Sequence, residues 1–255
     1  MKKHMQPHIM CGLGDVAKYV LISGDPQMVG NIAASLDESV KVADHRGFVT
    51  YTGNVDRTRV SACSTGIGCP SAAIAVEELA NIGADTFIRV GTTGSLQPSI
   101  EIGDIVVASS AVKGEGTSRG YVSTEYPAVA DFDVAAVLLQ SARKLKRKVY
   151  FGPVLTSDAF YGNMDSLKYW SRFNVLSVEM ECSVIFTIAQ LRRLRAGAIL
   201  AVDGNPLTGT GKGKFEVGEK TGELDERVQR AIKEEIGIAI LAIKVLDKKG
   251  LTKST

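Results

Sequence analysis

The chain reads as an α/β protein, with a largely parallel or mixed β-sheet covered by helices. Three observations carry this. Short apolar runs of strand length alternate with helical stretches. Glycine, 26 residues in all, sits in the first two-thirds mostly where apolar runs end. A chain of 255 residues that is 45% apolar is long enough to bury a full core. No Pro- or Ser-rich linker, internal repeat or compositional break divides it, so residues 1–255 are read as one domain.

The elements follow in order. Tyr19–Ser23 is a short buried strand ending at Gly24-Asp25-Pro26, and a helix runs from Gln27 to Leu36. Gly47–Gly53 and Arg59–Ser64 form a hairpin-like pair, the second strand running into Thr65-Gly66-Ile67-Gly68. Pro70 opens a helix over Ser71–Ile82, since its missing N–H is no loss in a first turn. Ala73, Ile74, Val76, Leu79 and Ala80 fall largely on one stripe of that helix. Thr86–Val90 is a strand stopped by Gly91-Thr92-Thr93-Gly94, and Asp104–Ala108 is another. A helix over Phe132–Lys146 has a basic solvent face at Arg143, Lys144, Lys146 and Arg147. Val149–Phe151 and Val154–Ser157 precede Asp158, and Leu176–Glu179 feeds a helix over Glu181–Arg193. Ala198–Val202 ends at Asp203-Gly204, and the last helix, Glu223–Lys248, has an apolar face that includes Val228, Ile232, Ile236 and Ile243. Pro206–Lys220 is aperiodic and reads as a lid or a solvated loop, and Leu251–Thr255 as a frayed tail.

Composition excludes several functions. Thirty basic against 28 acidic residues give a formal charge of +2, which argues against a nucleic-acid-binding face. No apolar run reaches the roughly 18 residues of a membrane span, and the N-terminal residues lack the apolar stretch of a signal peptide. Cys11, Cys63, Cys69 and Cys182 form no CxxC pair, so reduced thiols in the cytoplasm are expected. His4, His8 and His45 are too dispersed for a metal site, and no GxSxG nucleophile elbow is present. Gly66-Ile67-Gly68 lacks the rest of a dinucleotide fingerprint, and Gly209–Lys214 has the wrong spacing for a phosphate loop.

Polar residues recur at the ends of apolar strands: Asp25, Arg89 with Thr92, Asp158, Glu179 with Glu181, and Asp203. Ligands of open α/β sheets bind beyond the strand C-termini, so these ends should converge on one site. Each alone is also a helix cap or turn former. Arg89 lies inside the apolar run Phe87–Val90, where a guanidinium needs a compensating anion. Two readings stand: an internal salt bridge to Glu179 or Asp104, or a bound phosphate met by Arg89, Thr92 and turn amides. Glu179 and Glu181 flank a strand-to-helix junction, as dipole partners or as acceptors for a ribose diol. Asp203, closing an apolar run, is a candidate general acid or a turn former.

With these residues assembled, the chain resembles the nucleoside phosphorylase family of hexameric purine nucleoside, uridine and methylthioadenosine phosphorylases. The resemblance runs from about Pro7 to Pro206 through Pro7-His8-Ile9, Gly24-Asp25-Pro26, His45–Phe48, Ser64–Gly68, Arg89–Gly94, Ser157–Tyr161, Val178–Glu181 and Val202-Asp203-Gly204. It implies a single-domain α/β/α fold with a central mixed sheet, and dimers assembled into hexamers. It implies phosphorolysis of a nucleoside, without metal or cofactor and with phosphate as co-substrate. Gly24, Arg89 and Thr92 would then hold phosphate, with Arg46 of a neighbouring subunit. Met180 and Glu181 would hold ribose, with a neighbour's His8 near its 5′ end. Thr93, Gly94, Phe160 and Glu179 would line the base, and Asp203 would protonate it. Two departures stand out. Met28 replaces the arginine usual in the motif Gly-Asp-Pro-x-Arg, and the Gln and Arg that read uracil are missing after Phe160-Tyr161. The expected substrate is therefore a purine nucleoside, with uridine phosphorolysis, hydrolysis or mere nucleoside binding as the alternatives.

Overall fold

The computed structural model describes residues 5–162, 164–210 and 225–250. Along them run β1 (Tyr19–Ser23), α1 (Pro26–Ala33), β2 (Asp37–His45), β3 (Phe48–Val55), β4 (Thr58–Ser64), α2 (Cys69–Asn81), β5 (Thr86–Ser95) and β6 (Ile105–Gly114). After a 3-10 turn at Thr117–Gly120 come β7 (Ala128–Val129), α3 (Phe132–Lys144), β8 (Tyr150–Ser157), α4 (Met164–Ser171), β9 (Ser177–Glu179), α5 (Cys182–Leu191), β10 (Arg195–Gly204) and α6 (Glu226–Lys248).

The sequence pattern announces neither β2 nor α4. β2 is charged and mostly exposed, and α4 buries no residue, so neither shows the one-sided apolar face that betrays an element. β8 is one strand where the sequence suggests two runs. β5 does not stop at Gly91–Gly94 but continues to Ser95, because strands on both sides supply its ladder there. The stretch 206–220 is described only to Thr210, where it is a turn closed by the Asn205–Thr210 bridge; the tail 251–255 lies outside the described residues.

β1 lies parallel between β4 and β5, pairing Ser23 with Ser64 and Ile22 with Arg89. β10 runs parallel along the other edge of β5, with Ala198 opposite Arg89. β3 and β2 extend the β4 edge antiparallel. Beyond β10 the order is β6, β8 and β9, and β9 returns antiparallel to the end of β5. The mixed sheet therefore closes into a five-strand circuit with β1, β4, β3 and β2 as a wing. Its parallel strands β1, β4, β5 and β10 present their C-terminal ends on one side.

Both faces of the central strands are covered, which explains their continuous apolar runs. Leu21, Ile88, Val90 and Ile199 pack in one cluster with Val29 and Ile32 of α1, Val134 and Leu138 of α3, and Val228 and Ile243 of α6. Val20, Ile22, Phe87 and Leu200 pack in the other with Val76 and Leu79 of α2 and Val184 and Ile185 of α5. Met28 belongs to the first cluster and is buried there.

Candidate active site

Arg89 is the centre of the polar cluster. It projects from β5 with only 5% of its surface exposed. Its Nε donates to Glu179 Oε2 at 2.9 Å, and its Nη2 lies 2.5 Å from Glu181 Oε2. The internal salt bridge is thus real, made to both glutamates, while Asp104 accepts from the Glu101 amide instead. Burial alone would lower the Arg89 pKa; Glu181 and Glu179 outweigh it and hold the group charged, above its ordinary value. A methyl group on Gly91 would stand 3.2 Å from Arg89 Nη1, so this glycine makes room for the guanidinium.

Glu179, a base-lining residue in the family resemblance, is held within the protein. Its side chain is 0% exposed. Besides Arg89, its oxygens accept from Thr156 Oγ1 at 2.5 Å, from the Glu181 amide at 2.8 Å and from the Cys182 amide at 2.9 and 3.0 Å. Glu179 therefore anchors Arg89 and caps the start of α5, where free amides and the helix dipole favour an anion. Thr156, in turn, accepts from the Ser183 amide at 2.9 Å.

Glu181 meets the same Arg89 guanidinium through Oε2 and uses its other oxygen elsewhere. Its Oε1 accepts from the Gly68 amide at 2.7 Å. A methyl group on Gly24 would stand 3.2 Å from Gly66 O and 3.9 Å from this same Oε1, so Gly24, the Gly66–Gly68 turn and Glu181 meet at one point. Gly66 and Gly68 have φ of +67° and +93°, which glycine adopts without a steric penalty. Burial pushes the Glu181 pKa up, Arg89 pulls it down, and the nearby Glu179 carboxylate pushes it up again; the net shift is upward. Met180, between the two glutamates, is half-buried, and its carbonyl accepts from Cys69 Sγ at 3.3 Å.

Asp203 is partly exposed rather than desolvated. It is the extra residue of a bulge in β10: Val202 pairs with Thr93 and Gly204 with Gly94, leaving Asp203 between them. Bulges re-aim side chains, and this one sets Asp203 beside the half-buried end of β5. Thr93 donates its hydroxyl to Val178 O at 2.8 Å, while Gly94 is crowded by Pro206. Thr92 is partly exposed on the same stretch. Phe160 is 55% exposed and meets Tyr161 edge-on, with ring centroids 5.0 Å apart. Asp25 caps α1 through the Gln27 amide, and Asp158 accepts from the Gly116 amide, so these two take their local roles.

His8 and Arg46 lie on two segments joined by one hydrogen bond. Arg46 is exposed at the two-residue β2–β3 turn, where Arg46 and Gly47 both have positive φ, and Ser64 Oγ holds the turn by donating to Gly47 O. His45 Nδ1 lies 2.9 Å from the His8 carbonyl, joining the turn to the N-terminal segment. Among the described residues, one trio, Cys69, Glu115 and Asp158, brings metal-ligating atoms within 4.8 Å of one another. Glu115 already accepts from the Ser118 amide and the Ser183 hydroxyl, and burial pushes the Cys69 thiol up, keeping it protonated.

Thr156, Gly68 and Gly91 complete the cluster; none stands out in the sequence as a site residue, although the two glycines fall within the motifs that carry the resemblance. These features form an α/β fold with a buried polar cluster at the strand C-termini. A model of the phosphorylase superfamily matches residues 18–237. The chain is 44% identical over 229 residues to a guanosine phosphorylase of Halorubrum lacusprofundi, an alignment covering 89% of this chain and 95% of that one. It is 46% identical over 218 residues to a uridine phosphorylase of Thermococcus kodakarensis, covering 80% and 79%. A crystal structure of purine nucleoside phosphorylase from Toxoplasma gondii in complex with immucillin-H superposes with a TM-score of 0.88 at 30% identity, covering 98% of this chain and 99% of that one. The chain belongs to the phosphorylase superfamily and is a pentosyltransferase.

Proposed function

We propose that the enzyme cleaves the N-glycosidic bond of a purine nucleoside with inorganic phosphate, giving free base and ribose 1-phosphate or its deoxy form. The observation that carries this reading is the Arg89–Glu181 pair beside Gly24 and the Gly68 amide. Glu181 is the acceptor for the ribose hydroxyls, with Met180 alongside. Arg89 sets its direction and offers Nη1 to phosphate, together with Thr92 and the backbone at Gly24. Arg46 and His8 of a neighbouring copy complete the phosphate and ribose subsites, which makes the working form a homo-oligomer built from dimers.

Phosphate attacks C1′ as the ribosyl group becomes oxocarbenium-like and the base departs. Fixed charges and donors aimed at the dianion contribute most of the acceleration. Asp203, on its bulge beside Thr93 and Gly94, gives the proton that the departing purine needs at N7. No residue of this scheme calls for a metal or organic cofactor.

Two features favour other readings. Relatives named uridine phosphorylase share much of the chain. Met28, buried in the core where an arginine is usual, favours water as nucleophile. The test is turnover of guanosine, inosine, adenosine, methylthioadenosine and uridine, each with and without phosphate. Phosphate-dependent cleavage of the 6-oxopurine nucleosides above uridine is the expected result. Faster uridine cleavage would overturn the base assignment, and an undiminished rate without phosphate would overturn phosphorolysis.

A further inference from the structure

Glu78 is a carboxylate in the wrong place for an ordinary helix residue. It lies on the buried stripe of α2, among Ala75, Val76 and Leu79, with 6% of its surface exposed. Such a group requires donors, and it has several, all from one short segment. Its Oε2 accepts from the His8 amide at 3.0 Å and from the Ile9 amide at 2.9 Å, and its Oε1 lies 3.3 Å from the His8 amide. His8 Nδ1 lies 2.5 Å from Oε1. One turn on, Asn81 donates to Gln6 Oε1 at 3.1 Å, and the segment closes on itself through the Gln6 amide to Cys11 O. Chain ends fray unless tied down; this one is tied, and the tie ends on an imidazole whose side chain is 41% exposed.

The chemistry of the tie decides which nitrogen carries the proton. An ionised carboxylate has acceptors and no donor, so Nδ1 must be the N–H. In the neutral ring Nε2 is then a bare lone pair, on the side turned away from Glu78. We propose that Glu78 is a positioning residue: it fixes His8 as the Nδ1–H tautomer, so that Nε2 accepts a hydrogen bond from the 5′-hydroxyl of the nucleoside. This rests on the reading above that His8 reaches the ribose of a neighbouring copy, and it adds a specificity that the reading lacks. A substrate with a hydroxyl donor at C5′ gains the bond. A 5′-deoxynucleoside does not, and a 5′-phosphate, with acceptors only, meets a lone pair.

The substitution Glu78→Gln tests it, because one amide oxygen replaces two and an NH₂ group enters the cradle. At pH 8, KM for the 5′-hydroxyl nucleoside should rise about tenfold, the loss of one hydrogen bond, with kcat little changed. KM for the matching 5′-deoxynucleoside should stay put. His8→Ala should remove the same discrimination, and the double variant should lose no more than either single one. A His8→Ala enzyme that still prefers the 5′-hydroxyl would overturn the placement of His8 and this proposal with it. If His8→Ala abolishes the preference and Glu78→Gln retains it, the placement stands and the role of Glu78 falls. Should Glu78→Gln not fold, the long-range ¹H–¹⁵N spectrum of the unmodified protein decides: a protonated Nδ1 on His8 is required, and an Nε2–H tautomer refutes the proposal.

Discussion

Replacing Arg89 by methionine is the most informative single perturbation of the cluster. The side chain is removed from between two carboxylates that have 0% and 4% side-chain exposure and lie 2.9 and 2.5 Å from its nitrogens. Both glutamates then face each other in a water-poor space without a cation. Breaking a buried pair from one side costs about 3–5 kcal/mol. At about 2–4 °C per kcal/mol for a domain of this size, the melting temperature should fall by roughly 6–20 °C. Calorimetry at pH 7.5 reads the shift. The triple variant Arg89→Met with Glu179→Gln and Glu181→Gln removes all three charges and should recover at least half of the lost stability, although it has no activity. A melting temperature for Arg89→Met within about 2 °C of the parent would refute the argument that the arginine holds the glutamates. So would a triple variant no more stable than the single one, since repulsion between uncompensated carboxylates would then not be the cause.

Other outcomes follow from the same geometry. Gly91→Ala presses a methyl group to 3.2 Å from Arg89 Nη1 and should raise KM for phosphate while leaving thermal unfolding nearly unchanged; steady-state kinetics with varied phosphate reads it. Asp203→Asn should slow purine nucleoside cleavage about 10²–10⁴-fold with little change in nucleoside affinity, and unchanged turnover would remove it from the acid role. Glu181 is held above its ordinary value of 4.5, so its ionisation opposes folding: stability is fullest below that value and declines as pH rises through the folded one. Ribose binding has the opposite sign, with KM rising as pH falls, and Glu181→Gln should flatten both in urea titrations and pH-resolved kinetics. Arg46→Ala and Asp203→Asn, each strongly slowed, should regain activity when refolded together, up to about a quarter of the sites in random dimers; no recovery would place Arg46 outside the neighbour's site.

The fold was legible where burial is two-sided. Val20–Ile22, Phe87–Ile88 and Ala198–Val202 are apolar because helices cover both sheet faces, and such runs stand out without an alignment. Closure of the sheet was not legible, because it depends on Val178 meeting Gly94 and Ile199 meeting Val107, choices of partner that no local pattern encodes. At the site, the oddity of Arg89 in an apolar run correctly flagged a buried charge, and the junction at Glu179–Glu181 flagged its partners. The division of labour between the glutamates was hidden. It follows from the start of α5 at Cys182, whose amide binds Glu179, and from the Gly66–Gly68 turn, whose Gly68 amide binds Glu181; both partners are set by tertiary packing. Glu78 carried a signal that periodicity alone provides: a carboxylate on the apolar stripe of α2.

Under the proposed function, the charge balance of the cluster calls for a cation from a second copy. Arg89 brings one positive charge against Glu179 and Glu181, so the group of three bears a net negative charge whenever Glu181 is ionised. A phosphate dianion approaching it is repelled unless another cation is near, and Met28, folded into the core between Val29 and Ile32, supplies none. In the proposed complex, engagement of Glu181 with the ribose hydroxyls eases the repulsion by drawing the carboxylate toward the sugar. What then remains to neutralise phosphate is backbone N–H at Gly24, the Thr92 hydroxyl and a guanidinium from outside the cluster. Arg46 fits that need because it stands exposed on a turn of fixed geometry, braced by Ser64 and joined through His45 to the segment that carries His8. The His45 bond links the turn to the segment, so under the proposed function the two present a cation and an oriented imidazole together. Under the proposed function, with Met28 where the family usually has arginine, this unit carries a larger share of phosphate binding, so dimerisation and phosphate affinity should rise and fall together.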